Sequence, residues 1–244
     1  MSSTNLTQDI STAVVEEWAE VGGDRIPYLT AGDSERKVLL VHGAGSGRST
    51  WKDVIPVLAR DNSVYAPDLI GFGDTPRRDF PHTPEYMAEY LVGFMDSAGM
   101  EKALLVGHSL GGRVCLEVAL RHPERVDGLV LEASMGFGEV AWTGRLFSRA
   151  RLLIHHVLGL KSPYPRLEFQ PVEDDLPRFA EVGCDTLMLW GTRDPYFPLE
   201  QGRVALGAIP GSRLSVYSGV GHSLHRSDPA RFSGDVGAFL AERV

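Results

Sequence analysis

The chain has 244 residues, of which 43% are hydrophobic and 23% are charged, as expected for one globular domain with a substantial core. The formal net charge is −8, and no lysine- or arginine-rich run offsets it, so we expect no nucleic-acid partner. Cys115 and Cys184 are the two cysteines, and both lie in apolar contexts. Two cysteines in such contexts resemble core residues and predict neither a disulfide framework nor a metal site.

The amino-terminal residues 1–12 are polar and lack both a basic start and an apolar stretch. We therefore predict a flexible leader at 1–12 rather than a signal peptide. No apolar run approaches the length that would span a bilayer. These features favour a cytoplasmic protein with no membrane partner.

Strand and helix patterns alternate along the chain. Gly22 and Gly23 separate two strand patterns, which predicts an antiparallel hairpin. The later strand patterns are almost fully apolar, as in strands covered on both faces. Strands are predicted at 14–20, 25–30, 37–42, 63–66, 103–106, 126–131, 185–190 and 213–217, and helices at 51–60, 84–98, 110–121, 199–207 and 229–243. This order predicts an α/β fold with a mostly parallel eight-stranded sheet and helices on both faces.

One segment, residues 135–170, interrupts the alternation. It contains an amphipathic stretch at 143–159 and then the sequence Ser-Pro-Tyr-Pro at 162–165. We interpret it as a small helical lid inserted in a single domain that covers residues 1–244.

The sequence Gly-His-Ser-Leu-Gly at 107–111 follows an apolar strand directly and runs directly into a helix. A strand that ends in G-x-S-x-G and turns at once into a helix is typical of a nucleophile elbow. The flanking glycines leave room for the sharp turn, in which the serine backbone is strained. Ser109 is therefore the candidate nucleophile.

A serine nucleophile needs a base that takes its proton and an acid that orients this base. Asp194 follows the seventh predicted strand, and His222 lies in a glycine-rich loop after the last one. The order Ser, Asp, His predicts a triad of Ser109, Asp194 and His222. In the alternative reading Asp194 caps a turn before Pro195 and His222 is a surface residue. Glu132 is a second candidate for the acid, unless it only binds backbone groups or an arginine at the end of its strand.

Two backbone N–H groups should stabilise the oxyanion. The N–H group of Leu110 follows the nucleophile and opens a helix, whose dipole favours negative charge. The second donor should come from the loop at 42–47, where we choose Ala44 and keep Gly45 as the next candidate. This loop could instead cradle a phosphate, but the patterns G-x-x-x-x-G-K-[ST] and G-x-G-x-x-G do not fit in register.

With these motifs in order, the chain resembles the α/β-hydrolase superfamily, and within it the lid-bearing serine esterases, lactonases and C–C bond hydrolases. The motifs that carry the resemblance are His-Gly at 42–43, Asp-Leu-Ile-Gly-Phe-Gly-Asp at 68–74, the elbow at 107–112, Trp-Gly-Thr-Arg-Asp at 190–194 and Gly-His at 221–222. Related haloalkane dehalogenases and epoxide hydrolases carry an aspartate at the elbow, and dienelactone hydrolases carry a cysteine. A serine at this position implies an acyl-enzyme route.

The resemblance implies a serine hydrolase of small carboxylic esters that needs no cofactor and no metal. Alternatives are a lactonase, a C–C bond hydrolase or a hydroxynitrile lyase with the same triad, or a hydrolase-fold receptor with little turnover. The lid is shorter than is usual in this family. It could leave the site open, or a second subunit could help to cover it in a homodimer.

Four residues are candidates for substrate contact: Gly45, Arg113, Trp142 and Phe147. Arg113 lies one turn into the helix after Ser109, where it could bind a substrate carboxylate. A structural ion pair is the alternative for Arg113. Trp142 and Phe147 are placed near the mouth of the pocket, and core packing is equally expected for both.

Overall fold

The computed structural model describes residues 12–77, 80–164 and 175–243. Eight strands form one sheet in these residues. Their bounds are β1 Val15–Val21, β2 Asp24–Ala31, β3 Lys37–Val41, β4 Ser63–Pro67, β5 Ala103–His108, β6 Val126–Glu132, β7 Thr186–Gly191 and β8 Arg213–Tyr217.

The strand order is β1-β2-β4-β3-β5-β6-β7-β8. β1 pairs antiparallel with β2 through the turn at Gly22 and Gly23, and β2 pairs antiparallel with β4. Every further pair in the sheet is parallel. The carboxyl ends of β5, β6 and β7 therefore meet at one edge, where ligands bind in open α/β sheets.

Helices connect the parallel strands. Thr83 caps one of them by accepting a hydrogen bond from the N–H group of Tyr86, and Asp228 caps another in the same way through Arg231. The helices are α1 Ile55–Leu58, α2 Pro84–Ser97, α3 Leu110–Arg121, α4 Trp142–Val157, α5 Leu199–Ala208, α6 Leu224–Ser227 and α7 Pro229–Ala241. Short 3-10 turns cover Arg48–Trp51, Pro123–Arg125 and Leu176–Glu181.

The core lies in two layers, one on each face of the sheet. Along β3, Leu39 and Val41 join one layer, while Val38 and Leu40 join the other. All four side chains are fully buried. A strand covered on both faces gains nothing from polar residues at alternate positions, which explains the continuous apolar runs in the sequence.

The predicted α/β-hydrolase fold with an eight-stranded, mostly parallel sheet is confirmed. The helix predicted at 51–60 is wrong in its extent, because the structure has a 3-10 turn that ends at Trp51 and the separate short helix α1. Pro56 lies in the first turn of α1, and its missing N–H group prevents one continuous helix from running through it.

The segment between β6 and β7 contains α4, so a helix occupies most of the predicted amphipathic stretch. Residues 165–170 of the expected lid and residues 1–11 of the expected leader lie outside the described residues. No helix in the described part of the chain combines the length and the apolar character needed to cross a membrane.

Candidate active site

Ser109 occupies the sharp turn between β5 and α3. Its backbone angles are φ 54° and ψ −116°, a left-handed conformation that is uncommon for a residue with a side chain. The backbone N–H group of Ser109 donates a hydrogen bond to the carbonyl oxygen of Glu132 at 2.9 Å. The carbonyl oxygen of Ser109 accepts from the N–H groups of Arg113 and Met135. The strained turn is thus held by both neighbouring segments.

The glycines beside Ser109 allow this close packing. A Cβ atom at Gly107 would lie 2.5 Å from the carbonyl oxygen of Gly111, and one at Gly111 would lie 2.2 Å from the carbonyl oxygen of Val41. Neither position has space for a larger residue. The steric reason for the motif, as inferred from the sequence, is visible in these distances.

Asp194 and His222 form a pair beside the turn. The Nδ1 atom of His222 lies 2.8 Å from the Oδ2 atom of Asp194. The Oδ1 atom of Asp194 accepts from the backbone N–H groups of Tyr196 and Phe197 at 2.7 and 3.0 Å. The carboxyl group is fully buried, and these contacts fix its orientation toward the imidazole ring.

His108 supports the His222 loop from below. Its Nε2 atom lies 3.0 Å from the carbonyl oxygen of His222, and the two rings are 4.7 Å apart. Burial lowers the pKa of His108 to about 3, so the ring is neutral at neutral pH. A carbonyl oxygen only accepts hydrogen bonds, so this geometry places the single ring proton of His108 on Nε2.

The loop that follows β3 approaches the elbow through Gly43. A Cβ atom at Gly43 would lie 2.8 Å from the Nδ1 atom of His108. The carbonyl oxygen of Gly43 lies 2.9 Å from the Nδ1 atom of His42 and accepts from the N–H group of Ser46. The Nε2 atom of His42 accepts from the N–H group of Leu69. Burial lowers the pKa of His42, so the ring is neutral where it links Gly43 to the loop that contains Leu69.

Glu132 ends β6 and turns its fully buried side chain toward α6. Its Oε1 atom accepts from the backbone N–H groups of Leu224 and His225 at 2.5 and 3.1 Å. Its Oε2 atom lies 2.8 Å from the Nδ1 atom of His225. Glu132 thus binds backbone groups, one of the alternatives considered from the sequence. No motif in the sequence pointed to its second partner, the side chain of His225.

A cavity of about 500 Å³ lies over Ser109. Ala44 and Gly45 line it on one side, and His222 lines it on another. The helix α4 contributes Ser148 and Arg151. The side chains of Thr50, Tyr164, Tyr196 and Arg226 also reach this cavity, and none of these was singled out from the sequence.

The helix α4 does not bring Trp142 or Phe147 to the cavity. Their exposed fractions are 76% and 57%, because α4 turns the side with Gly144 and Ser148 toward the body of the protein. The ring of Phe147 lies near that of Tyr196, at 6.5 Å between centroids. The structure thus places both residues outside the cavity walls, although the sequence suggested substrate contact.

Arg113 is buried in a network of ion pairs. Its guanidinium group lies 2.5 Å from Glu117 and 2.9 Å from Asp175. Arg178 binds the same two carboxylates. Arg113 therefore forms the structural ion pair that was the alternative to substrate binding.

No group of three His, Cys, Asp or Glu side chains in residues 12–77, 80–164 and 175–243 has the arrangement of a metal site. The chemistry that the described residues offer is that of a buried carboxylate, an imidazole and a hydroxyl group at one cavity.

Comparisons with known proteins show the family of the chain. The model of the alpha/beta hydrolase family matches residues 38–235. A 2-hydroxymuconate semialdehyde hydrolase of Pseudomonas sp. strain CF600 is 29% identical over 245 aligned positions, which cover 84% of this chain and 87% of that protein.

Solved structures also share the fold. The meta-cleavage product hydrolase of Pseudomonas fluorescens IP01 superposes with a TM-score of 0.79 at 25% identity, over 93% of this chain and 98% of that one. A carboxylesterase of Bacillus subtilis reaches the same TM-score at 18% identity, over 96% and 95% of the two chains, which shows a shared fold alone. From the match over residues 38–235 and the hydrolase fold, the chain belongs to the alpha/beta hydrolase family.

Proposed function

We propose that this protein is a serine hydrolase that cleaves small carboxylic esters through an acyl-enzyme intermediate. One observation carries the proposal: His222, paired with the buried Asp194 at 2.8 Å, lines the same cavity as Ser109. A hydroxyl group, an imidazole and a carboxylate in this chain order and arrangement are the parts of a serine-hydrolase triad.

In the proposed mechanism, His222 accepts the proton of the Ser109 hydroxyl group as its oxygen attacks the ester carbonyl. The backbone N–H groups of Ala44 and Leu110 stabilise the oxyanion of the tetrahedral intermediate. The C–O bond of the ester then breaks, and the alcohol leaves with the proton from His222. Water, deprotonated by His222, attacks the acyl-enzyme, and the carboxylic acid leaves as Ser109 regains its proton. Asp194 holds His222 in the productive tautomer throughout.

A second candidate is the hydrolysis of a carbon–carbon bond in an anionic substrate. Two cations, Arg151 and Arg226, line the cavity, and no carboxylate is among the described residues that line it. A guanidinium group is well suited to binding a carboxylate. The relatives named as hydrolases of 2-hydroxymuconate semialdehyde and of a meta-cleavage product support this candidate.

A substrate panel tests the proposal. We expect turnover of p-nitrophenyl acetate by the wild-type protein and none by Ser109→Ala at equal folded concentration. The same assay with lactones, cyanohydrins and vinylogous diketones separates the alternative reactions that one triad can support. If Ser109→Ala keeps the wild-type rate, the serine mechanism is wrong. If the wild-type protein cleaves only diketones, the C–C bond candidate replaces the ester candidate.

A further inference from the structure

Glu132 contacts both ends of the proposed catalytic machinery. Its carbonyl oxygen accepts the hydrogen bond from the backbone N–H group of Ser109 at 2.9 Å. Its carboxylate accepts from the N–H groups of Leu224 and His225, which lie two and three residues after His222 in the chain. One buried residue thus joins the strained elbow to the segment that carries the candidate base.

The side chain of His225 extends this connection to the wall of the cavity. Its Nδ1 atom lies 2.8 Å from Glu132, and its Nε2 atom lies 2.8 Å from the hydroxyl group of Thr50, which lines the cavity. The His225 ring packs on Trp51 at 4.3 Å and on His108 at 5.0 Å. A second series of contacts therefore lies beside the proposed triad. It has the same order of a hydroxyl group, an imidazole and a carboxylate, contributed by Thr50, His225 and Glu132.

The charge of Glu132 strengthens its hold on this segment. Burial alone would raise the pKa of Glu132, but electrostatic interactions with His225 and His108 and the hydrogen bonds from His225 lower it to about 2. A carboxylate that accepts several N–H groups binds them more strongly than a neutral acceptor does. Leaving these buried N–H groups without an acceptor would be costly, so the His222 segment is held in one place.

We propose that Glu132 and His225 form a positioning pair, which sets the distance and angle between Ser109 and His222. The inference rests on the proposed function, since it concerns the reaction of Ser109 with His222 as its base. Glu132 does not line the cavity, so its loss should slow the chemical step and leave substrate binding unchanged. A displacement of the base by about 1 Å can cost roughly 10²-fold in rate.

Two substitutions at one position separate positioning from charge. Glu132→Leu removes the acceptor, and we expect about a 10²-fold lower kcat for p-nitrophenyl acetate with an unchanged KM. Glu132→Gln keeps an oxygen for the N–H groups of Leu224 and His225, so we expect it to restore most of that loss. The rate at which a fluorophosphonate labels Ser109 should fall and recover in parallel, because it reports on the same serine and base without a natural substrate.

Glu117→Gln is the matched control. Glu117 is another fully buried carboxylate, and it binds Arg113 and Arg178 rather than the His222 segment. This variant should be less stable but should keep wild-type kcat and labelling rate when both are normalised to folded protein. If Glu117→Gln loses as much activity as Glu132→Leu, the effect of Glu132 is general destabilisation and the proposal is wrong.

Two other results would overturn the positioning role: a folded Glu132→Leu with wild-type kcat and labelling, or a raised KM with unchanged kcat. If Glu132→Leu does not fold, Glu132→Asp takes its place, because its side chain is too short to keep both contacts. We then expect about a 10-fold lower kcat, and wild-type kinetics would contradict the proposal. Absence of labelling at Ser109 in the wild-type protein would instead refute the proposed function itself.

Discussion

Asp194 is the residue whose surroundings most clearly suit a triad acid. The N–H groups of Tyr196 and Phe197 bind one carboxylate oxygen and leave the other for His222. Glu132, the other candidate, is occupied by Leu224 and His225. The two carboxylates therefore have different partners, and their substitution should have different consequences.

We expect Asp194→Asn to lower kcat by about 10⁴, as in a comparable triad, because the amide favours the wrong tautomer of His222. Glu132→Gln should cost far less in the same p-nitrophenyl acetate assay. Asp235→Asn is the control, since Asp235 binds Ser215 and Tyr217 on β8 and should leave kcat unchanged. A larger loss in Glu132→Gln than in Asp194→Asn would transfer the acid role to Glu132.

Arg226 is expected to determine preference among substrates. It lines the cavity, and a carboxylate on the substrate would be attracted to its charge. We expect Arg226→Gln to raise KM about tenfold for an ester that carries a terminal carboxylate and to leave KM for p-nitrophenyl acetate unchanged. Arg149→Gln, on the same helix α4 as Arg151 but outside the cavity lining, serves as the control. Equal KM changes for the charged and the neutral ester would exclude this role.

Among the structural elements, the elbow between β5 and α3 depends on its glycines. A Cβ atom at Gly111 would lie 2.2 Å from the carbonyl oxygen of Val41, so either β3 or the turn must move. Gly111→Ala should therefore lower both the free energy of unfolding, by about 1–3 kcal/mol, and the labelling rate of Ser109.

Gly207→Ala is the matched control for the elbow variant. Gly207 lies in α5, and a Cβ atom there meets nothing within 4 Å. Alanine favours the helix, so this variant should be about as stable as the wild-type protein or more so, by up to ~1 kcal/mol. Urea unfolding curves measure both variants, and equal stability of the two would contradict the steric account of the elbow.

The sequence predicts the elements of the sheet well because their patterns are local. Apolar runs in the parallel strands follow from burial on both faces, and the elbow motif combines strand, turn and helix within a few residues. The helix expected at 51–60 fails at Pro56, where a local signal was overlooked. The orientation of α4 could not be predicted in this way, because tertiary contacts of Gly144 and Ser148 decide which side of the helix faces the body of the protein.

The candidate site likewise combines residues that local motifs predict with residues that only tertiary contacts bring together. Ser109, Asp194 and His222 are found from motifs that surround each of them. His225 has no such motif, and its importance comes from a contact with Glu132, which lies 93 positions away in the chain. Thr50 lies still farther from His225, at a separation of 175 positions. Pairings at this distance are set by the topology of the sheet and are not visible in one sequence.

In the molecule as a whole, two buried titratable groups at the site, His108 and Glu132, make the free energy of unfolding depend on pH. The pKa of His108 is lowered to about 3 by burial, and that of Glu132 to about 2, despite its burial, by His225 and His108. The unfolded chain therefore binds more protons than the folded one below about pH 6.5 at His108 and below about pH 4.5 at Glu132. The contributions of both groups are complete above these values and are lost as the pH falls.

We expect Glu132→Gln to reduce the free energy of unfolding at pH 7 by about 1–3 kcal/mol. The difference from the wild-type protein should shrink between pH 4.5 and 3, where the wild-type protein loses the contribution of the carboxylate. Glu200→Gln, at an exposed carboxylate, should show no difference at either pH. Urea unfolding at pH 7, 4.5 and 3 measures this, and a constant difference for Glu132→Gln would show that its charge does not matter.

Treatment with diethyl p-nitrophenyl phosphate, followed by peptide mass spectrometry, tests the proposed roles of Ser109 as nucleophile and His222 as base. We expect one diethylphosphoryl group, bound to Ser109, with esterase activity lost in proportion to its formation, and much slower labelling in His222→Ala. Loss of activity with the group on another residue, or undiminished labelling in His222→Ala, would show that these roles are wrong.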